Sequence, residues 1–129
     1  MKSFKINYII FLVGILVINT NIFSQTYFNG GIFADTKWNL NNSPYIITDT
    51  VVIGQKVTLT IEAGVKVLFD KSIPFIINGT LICEGNSINP VIFSANARNT
   101  GKNYWRGLIL GMSSNLELNF TEFLNARTV

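Results

Sequence analysis

Apolar and polar residues alternate in short runs along most of the chain. Val57, Leu59 and Ile61 fall on one side of an extended backbone, with Thr58, Thr60 and Glu62 on the other. Val65, Val67 and Phe69 repeat the pattern opposite Lys66, Leu68 and Asp70. Leu116, Leu118 and Phe120 repeat it again opposite Glu117, Asn119 and Thr121. This period of two, in β-branched and aromatic residues, predicts strands over residues 45–48, 51–53, 57–61, 65–69, 75–77, 80–84, 91–94, 107–110 and 116–123. Gly54-Gln55, Ala63-Gly64, Asn78-Gly79, Gly85-Asn86 and Asn89-Pro90 supply the turns between them.

The runs also return at a longer spacing. Thr58-Leu59-Thr60-Ile61 is echoed by Thr80-Leu81-Ile82-Cys83 after 22 residues and by Gly107-Leu108-Ile109-Leu110 after a further 27. Val67-Leu68-Phe69 is echoed by Val91-Ile92-Phe93 after 24 and by Leu118-Asn119-Phe120 after another 27. Two strand types in phase predict an all-β solenoid of about three to four coils rather than a sandwich, which has no need of equivalent runs in phase. The longer third period contains an Asn/Gly-rich insertion at residues 96–103, expected as a surface loop. Inward side chains stack from coil to coil, so Val57, Leu59, Ile61, Leu81, Cys83 and Leu108 are the expected core, and Trp38 the expected plug of the first coil. Asn78, Asn86, Asn89 and Asn96 fall at turns, where their side chains serve the local backbone.

Composition narrows the chemistry. Of 129 residues 48% are apolar and 13% charged, which excludes charge-driven disorder. Residues 1–24 read as an export signal. Lys2 and Lys5 precede an eleven-residue apolar run from Tyr8 to Ile18, and Ser24 is the small residue before the cut, leaving Gln25 first. That run is short for a span, which needs about 20 residues. No cysteine follows it to carry a lipid. Without Lys2 and Lys5 the chain has eight basic against seven acidic residues, giving +1 and no case for nucleic acid. With no histidine, imidazole bases and His-ligated metals are excluded. The lone Cys83 is expected to be a buried apolar residue, with no base beside it to make it a nucleophile.

The segment Thr58-Leu59-Thr60-Ile61-Glu62-Ala63-Gly64-Val65-Lys66-Val67-Leu68-Phe69 resembles the opening of right-handed parallel β-helix proteins of the pectin-lyase-like class. Asn78-Gly79-Thr80-Leu81, Asn89-Pro90-Val91-Ile92-Phe93 and Trp105-Arg106-Gly107-Leu108 continue the pattern in the expected order. The resemblance covers most of residues 28–126. It implies a large secreted bacterial surface protein of which this chain is the N-terminal portion or a truncated reading frame, with residues 25–50 as a lead-in that caps the first coil and 51–129 as coils. The sequence reaches Val129 in mid-pattern.

The resemblance also implies polysaccharide lyases and hydrolases as alternatives, which use clustered acids with a basic residue. The acids here are spread along the chain, and the best local set is Lys66, Asp70 and Glu84 with Arg106. Each reads as a solvated outward residue. Thr58 and Thr60 do not continue as a flat threonine rank, because Ile82 follows one coil on. Tyr104 and Trp105 form the aromatic pair most able to stack on a carbohydrate. No catalytic residue, metal ligand or cofactor is expected. Expected partners are an extracellular polysaccharide or surface component, and other copies through an open last coil. The reading is an exported, non-catalytic, adhesin-like scaffold, secreted or on the outer surface; the alternative is part of a carbohydrate-active enzyme whose catalytic coils lie downstream.

Overall fold

The computed structural model describes residues 24–97 and 104–127; the expected export signal over residues 1–24, apart from Ser24, and most of the 96–103 insertion lie outside them. Eleven strands follow one another: β1 (Thr26–Ile32), β2 (Thr36–Trp38), β3 (Tyr45–Ile53), β4 (Thr58–Glu62), β5 (Lys66–Phe69), β6 (Phe75–Ile77), β7 (Thr80–Glu84), β8 (Val91–Ala95), β9 (Leu108–Leu110), β10 (Asn115–Asn119) and β11 (Thr121–Phe123). Each pairing between strands is parallel, and consecutive strands β4 and β5 do not pair across the Ala63-Gly64 turn. Tight turns with no hairpin mean that each strand leaves its neighbour in sequence and meets an equivalent one a coil away. This is a parallel β-helix.

Three ladders wind around one core, where the sequence suggests two strand types. The first is β2-β4-β7-β10. The other two diverge from the long strand β3: Tyr45–Ile47 leads to β5, β8 and β11, and Val51–Ile53 leads to β6 and β9. Residues 25–50 are therefore coil as well as cap, because β1 and β2 already pair into the ladders. A boundary at residue 51 would cut β3 in mid-strand.

The register corrects several echoes. Thr58 pairs with Thr80 and Leu59 with Leu81, as the spacing suggests. The next coil, however, brings Asn115 and Leu116 to Thr80 and Leu81, while Leu108-Ile109-Leu110 stacks on Phe75-Ile76-Ile77. Val67 pairs with Phe93 rather than Val91, and Phe93 with Phe123. The run 116–123 is broken at Phe120, whose φ of 40° turns the chain from β10 into β11. Up to Leu118 inward and outward positions keep their parity through these slips; beyond it the turn reverses the expected facing, leaving Phe120 exposed and stacking Thr121 on the buried Val91.

The expected core is observed, with one exception. Leu59, Ile61, Leu81 and Cys83 are fully buried and Val57 nearly so, but Leu108 is only half-buried in the last coil. Aromatic rings fill the axis: Trp38 stacks on Tyr45 at 4.5 Å between centroids, and Phe75 meets Trp38, Phe69 and Phe93 edge-on. Trp38 closes the first coil, with Phe28 against its edge. Each fully buried aliphatic side chain contributes about 1.5–3 kcal/mol.

Turns follow the residues assigned to them. Asn86 Oδ1 accepts from the backbone N–H groups of Ile88 and Asn89, at 3.0 and 2.8 Å. Gly79 is required by space, because a Cβ there would lie 2.2 Å from the Val57 carbonyl oxygen and 2.3 Å from that of Gly54. Both obstacles are backbone and cannot rotate away. Gly79→Ala is expected to cost at least about 2 kcal/mol, read as a lower urea midpoint at unchanged m-value; a midpoint like the parent's would place the two coils farther apart than described.

Candidate functional site

Side chains that point outward from the ladders satisfy backbone at the coil edges. Asp35 Oδ1 accepts from the Thr58 N–H at 2.9 Å, Ser43 Oγ from the Lys66 N–H at 2.9 Å, and Glu62 Oε2 from the Leu40 N–H at 2.7 Å. These bonds tie the first coil to the next, so the acids and hydroxyls involved are structural. Lys37 pairs with Glu84 at 3.7 Å, both about half exposed. Such a pair adds roughly 0–1 kcal/mol.

The candidate acid–base set is not assembled. Lys66 lies on the ladder through β5, Glu84 on that through β7, and Arg106 at the entry to β9. Asp70 accepts from Asn96 Nδ2. One acid pair escaped the sequence reading: Glu62 and Glu84 are register partners on consecutive coils. The 22-residue echo contained that signal, since the Thr58–Thr80 match extends to it. Each of the two carboxylates already has its own partner, in the Leu40 N–H and in Lys37. Among the described residues no three acids or cysteines gather to hold a metal ion.

Cys83 is fully buried in β7, and burial pushes its thiol from 9.0 up to about 12, against a smaller opposing hydrogen bond from the Thr121 side chain. It is a core thiol, not a thiolate. Because the folded pKa is the higher one, the unfolded chain ionises first as pH rises. Stability is retained below about pH 9 and falls between there and about pH 12. Cys83→Ala should lose this pH dependence at a baseline lowered by the missing sulfur. A thiol reagent should react with the parent only as fast as it unfolds; immediate stoichiometric labelling would contradict the burial.

The aromatic pair separates. Trp105 is fully buried, stacked on Phe69 at 4.3 Å and 7°, with Phe93 and Phe123 on further sides. Its Nε1 donates to the Leu124 carbonyl at 2.9 Å. It offers no face to a sugar; its place beside a polar insertion made it look like a surface ring. Tyr104 is half-buried, and its hydroxyl accepts from Arg127 Nη1 at 2.7 Å.

Hollows open to solvent lie on two parts of the described surface. One, of about 390 Å³, lies on the outside of the first ladder against Asp35, Lys37, Thr58 and Thr60. The other, of about 480 Å³, lies at the last coil against Arg106, Arg127, Leu108, Ile109 and Phe123. The first is polar and shallow; the second pairs an apolar floor with two cations.

Parallel ladders and a stacked aromatic axis with outward polar ranks define a β-helix. The family model of the pectate-lyase-like β-helix domain matches residues 30–122, well over half of the chain, and the protein belongs to that family. No curated protein and no solved structure matches it significantly.

Proposed function

We propose that the chain is an exported, non-catalytic β-helix segment that acts as an adhesin-like scaffold, secreted or displayed on the outer cell surface. The observation that supports this most is the fate of the polar side chains. Asp35, Ser43, Glu62 and Asn86 hold backbone, and the residues that lyase or hydrolase chemistry would combine stand on separate ladders. Outward strand positions then serve as display surface. Its partners are an extracellular polysaccharide or another surface component, and further copies through the apolar edge of the last coil, where Leu110, Leu118 and Phe123 are partly exposed.

The test is to incubate the full chain with polyuronate and neutral polysaccharides, following both co-sedimentation and the release of reducing or unsaturated ends. Binding without product release is expected. Product release that disappears in Glu62→Gln or Glu84→Gln would replace this reading with that of a carbohydrate-active enzyme. Export predicts Gln25 as the first residue of protein recovered outside the cell; an intact Met1 on N-terminal mass analysis would contradict it. Light scattering over a concentration series should show the mass of residues 25–129 rising; a constant monomer mass would remove the self-association.

A further inference from the structure

The dipeptide Asn-Gly occurs twice, and the fold holds its two copies very differently. With no side chain on the glycine to obstruct it, the glycine nitrogen can close on the side-chain carbonyl of the asparagine. This is one reason why asparagine ranks among the thermolabile residues.

Asn78-Gly79 is clamped between coils. A Cβ on Gly79 would strike the carbonyl oxygens of Val57 and Gly54, and Asn78 Oδ1 fills the space where a Cβ of Gly111 would stand, one coil on. The N–H groups of Asn78 and Thr80 donate to the Ile53 and Val57 carbonyls at 3.0 and 2.8 Å. Ring closure there requires the coils to part. Asn29-Gly30 has no such clamp. Phe28 pairs with Ile47 and Gly30 with Val51, so Asn29 is left out of the register at a bulge. Its Nδ2 reaches Thr48 Oγ1 only at 3.4 Å. Phe28 packs inward on Trp38, which turns Asn29 to the outer flank of the first coil, where it is exposed. A coil stacked on the end would not cover that flank. Gly30 has a φ of 90°, and a Cβ on it would meet nothing within 4 Å, so the space beside the reacting nitrogen is open.

We propose that Asn29-Gly30 is a site of spontaneous self-modification, at which the folded protein converts its asparagine into aspartate and isoaspartate. Base removes the Gly30 amide proton and the nitrogen attacks Asn29 Cγ. The N–Cγ bond forms, the Cγ–Nδ2 bond breaks, and with a proton returned from water Nδ2 leaves as ammonia. Water then opens the cyclic imide at Cγ to give aspartate, or at the main-chain carbonyl to give isoaspartate, whose backbone is longer by a methylene. The bulge accommodates that methylene, because Asn29 holds no register position and the pairs on either side, Phe28–Ile47 and Gly30–Val51, keep their places. The first coil thus acquires a negative charge on its flank with time, whether or not the scaffold reading holds.

Peptide mapping of the full chain by mass spectrometry, after incubation over a pH series at and above neutrality, tests this; electron-transfer fragmentation separates aspartate from isoaspartate. Conversion at Asn29 should accelerate with pH. It should run at least about ten-fold faster than at Asn78, where reaction has to wait for local opening. In urea the two sites should convert at similar rates. Asn29→Gln, whose longer side chain closes a ring far more slowly, should remove the early conversion, and the aged parent should keep the urea midpoint of the fresh protein. Equal rates at Asn29 and Asn78 in the folded chain, conversion of Asn29 in urea alone, or a chain that unfolds as it converts would each overturn the proposal.

Discussion

Leu81→Asp is expected to unfold the protein, while Thr60→Asp lowers its stability by no more than about 1 kcal/mol. Leu81 is fully buried, with Leu59 below it and Leu116 above it in register. A carboxylate there meets only hydrocarbon. Burying an unpaired charge costs several kcal/mol after relaxation, comparable with the whole stability of a small domain, about 5–15 kcal/mol. Thr60 lies in the same ladder on the outward side, beside Lys37 in register, so an acid there is hydrated and faces a cation. Leu59→Asp should match Leu81→Asp. Leu108→Asp should be milder than either, because Leu108 is only half-buried in the last coil. Urea unfolding followed by circular dichroism reads all four. If Thr60→Asp were as damaging as Leu81→Asp, the assignment of inward and outward positions would be wrong.

Trp105→Ala should cost about 3–5 kcal/mol, the usual range for removing a buried aromatic ring. The ring stacks on Phe69, touches Phe93 and Phe123, and donates the bond to Leu124 that fastens the chain after β11. Its loss therefore leaves a void and frees the last strand together. Tyr104→Ala, one residue earlier, should cost under about 1 kcal/mol, because that ring is only half-buried. The melting temperatures of the two variants separate a core role from a carbohydrate platform. A platform tryptophan would leave stability untouched and remove polysaccharide binding.

The contrast between these neighbours shows how far the sequence is legible. Period-two alternation gave the facing of Leu59, Leu81 and Cys83 correctly, because strand geometry allows a side chain only two directions. It also gave the first 22-residue coil, where Thr58 pairs with Thr80 without an intervening insertion. Register beyond that was obscured. The insertion before Tyr104 and the turn at Phe120 change the length of the last coil, and identical-looking triplets such as Val67-Leu68-Phe69 and Val91-Ile92-Phe93 slide past each other by two residues without changing face. The third ladder was hidden because β3 reads as two short runs, although it is one strand that serves two ladders. Trp105 was opaque for a different reason. Whether a ring is covered depends on which coil returns above it, and for Trp105 that is set by its bridge to Ala126 and the stacking of Phe123.

The measurement that bears most directly on the account is the set of inter-strand contacts seen by nuclear Overhauser spectroscopy. Parallel coils with strands about 4.8 Å apart place Thr60 beside Ile82, and Ile82 beside Glu117. Cross-peaks linking these three residues in series are predicted, with none between the facing backbones of β4 and β5. A sandwich would instead join Thr58–Glu62 to Lys66–Phe69 as an antiparallel hairpin across Ala63-Gly64. Cross-peaks of that hairpin, in place of the Thr60–Ile82–Glu117 series, would contradict the β-helix.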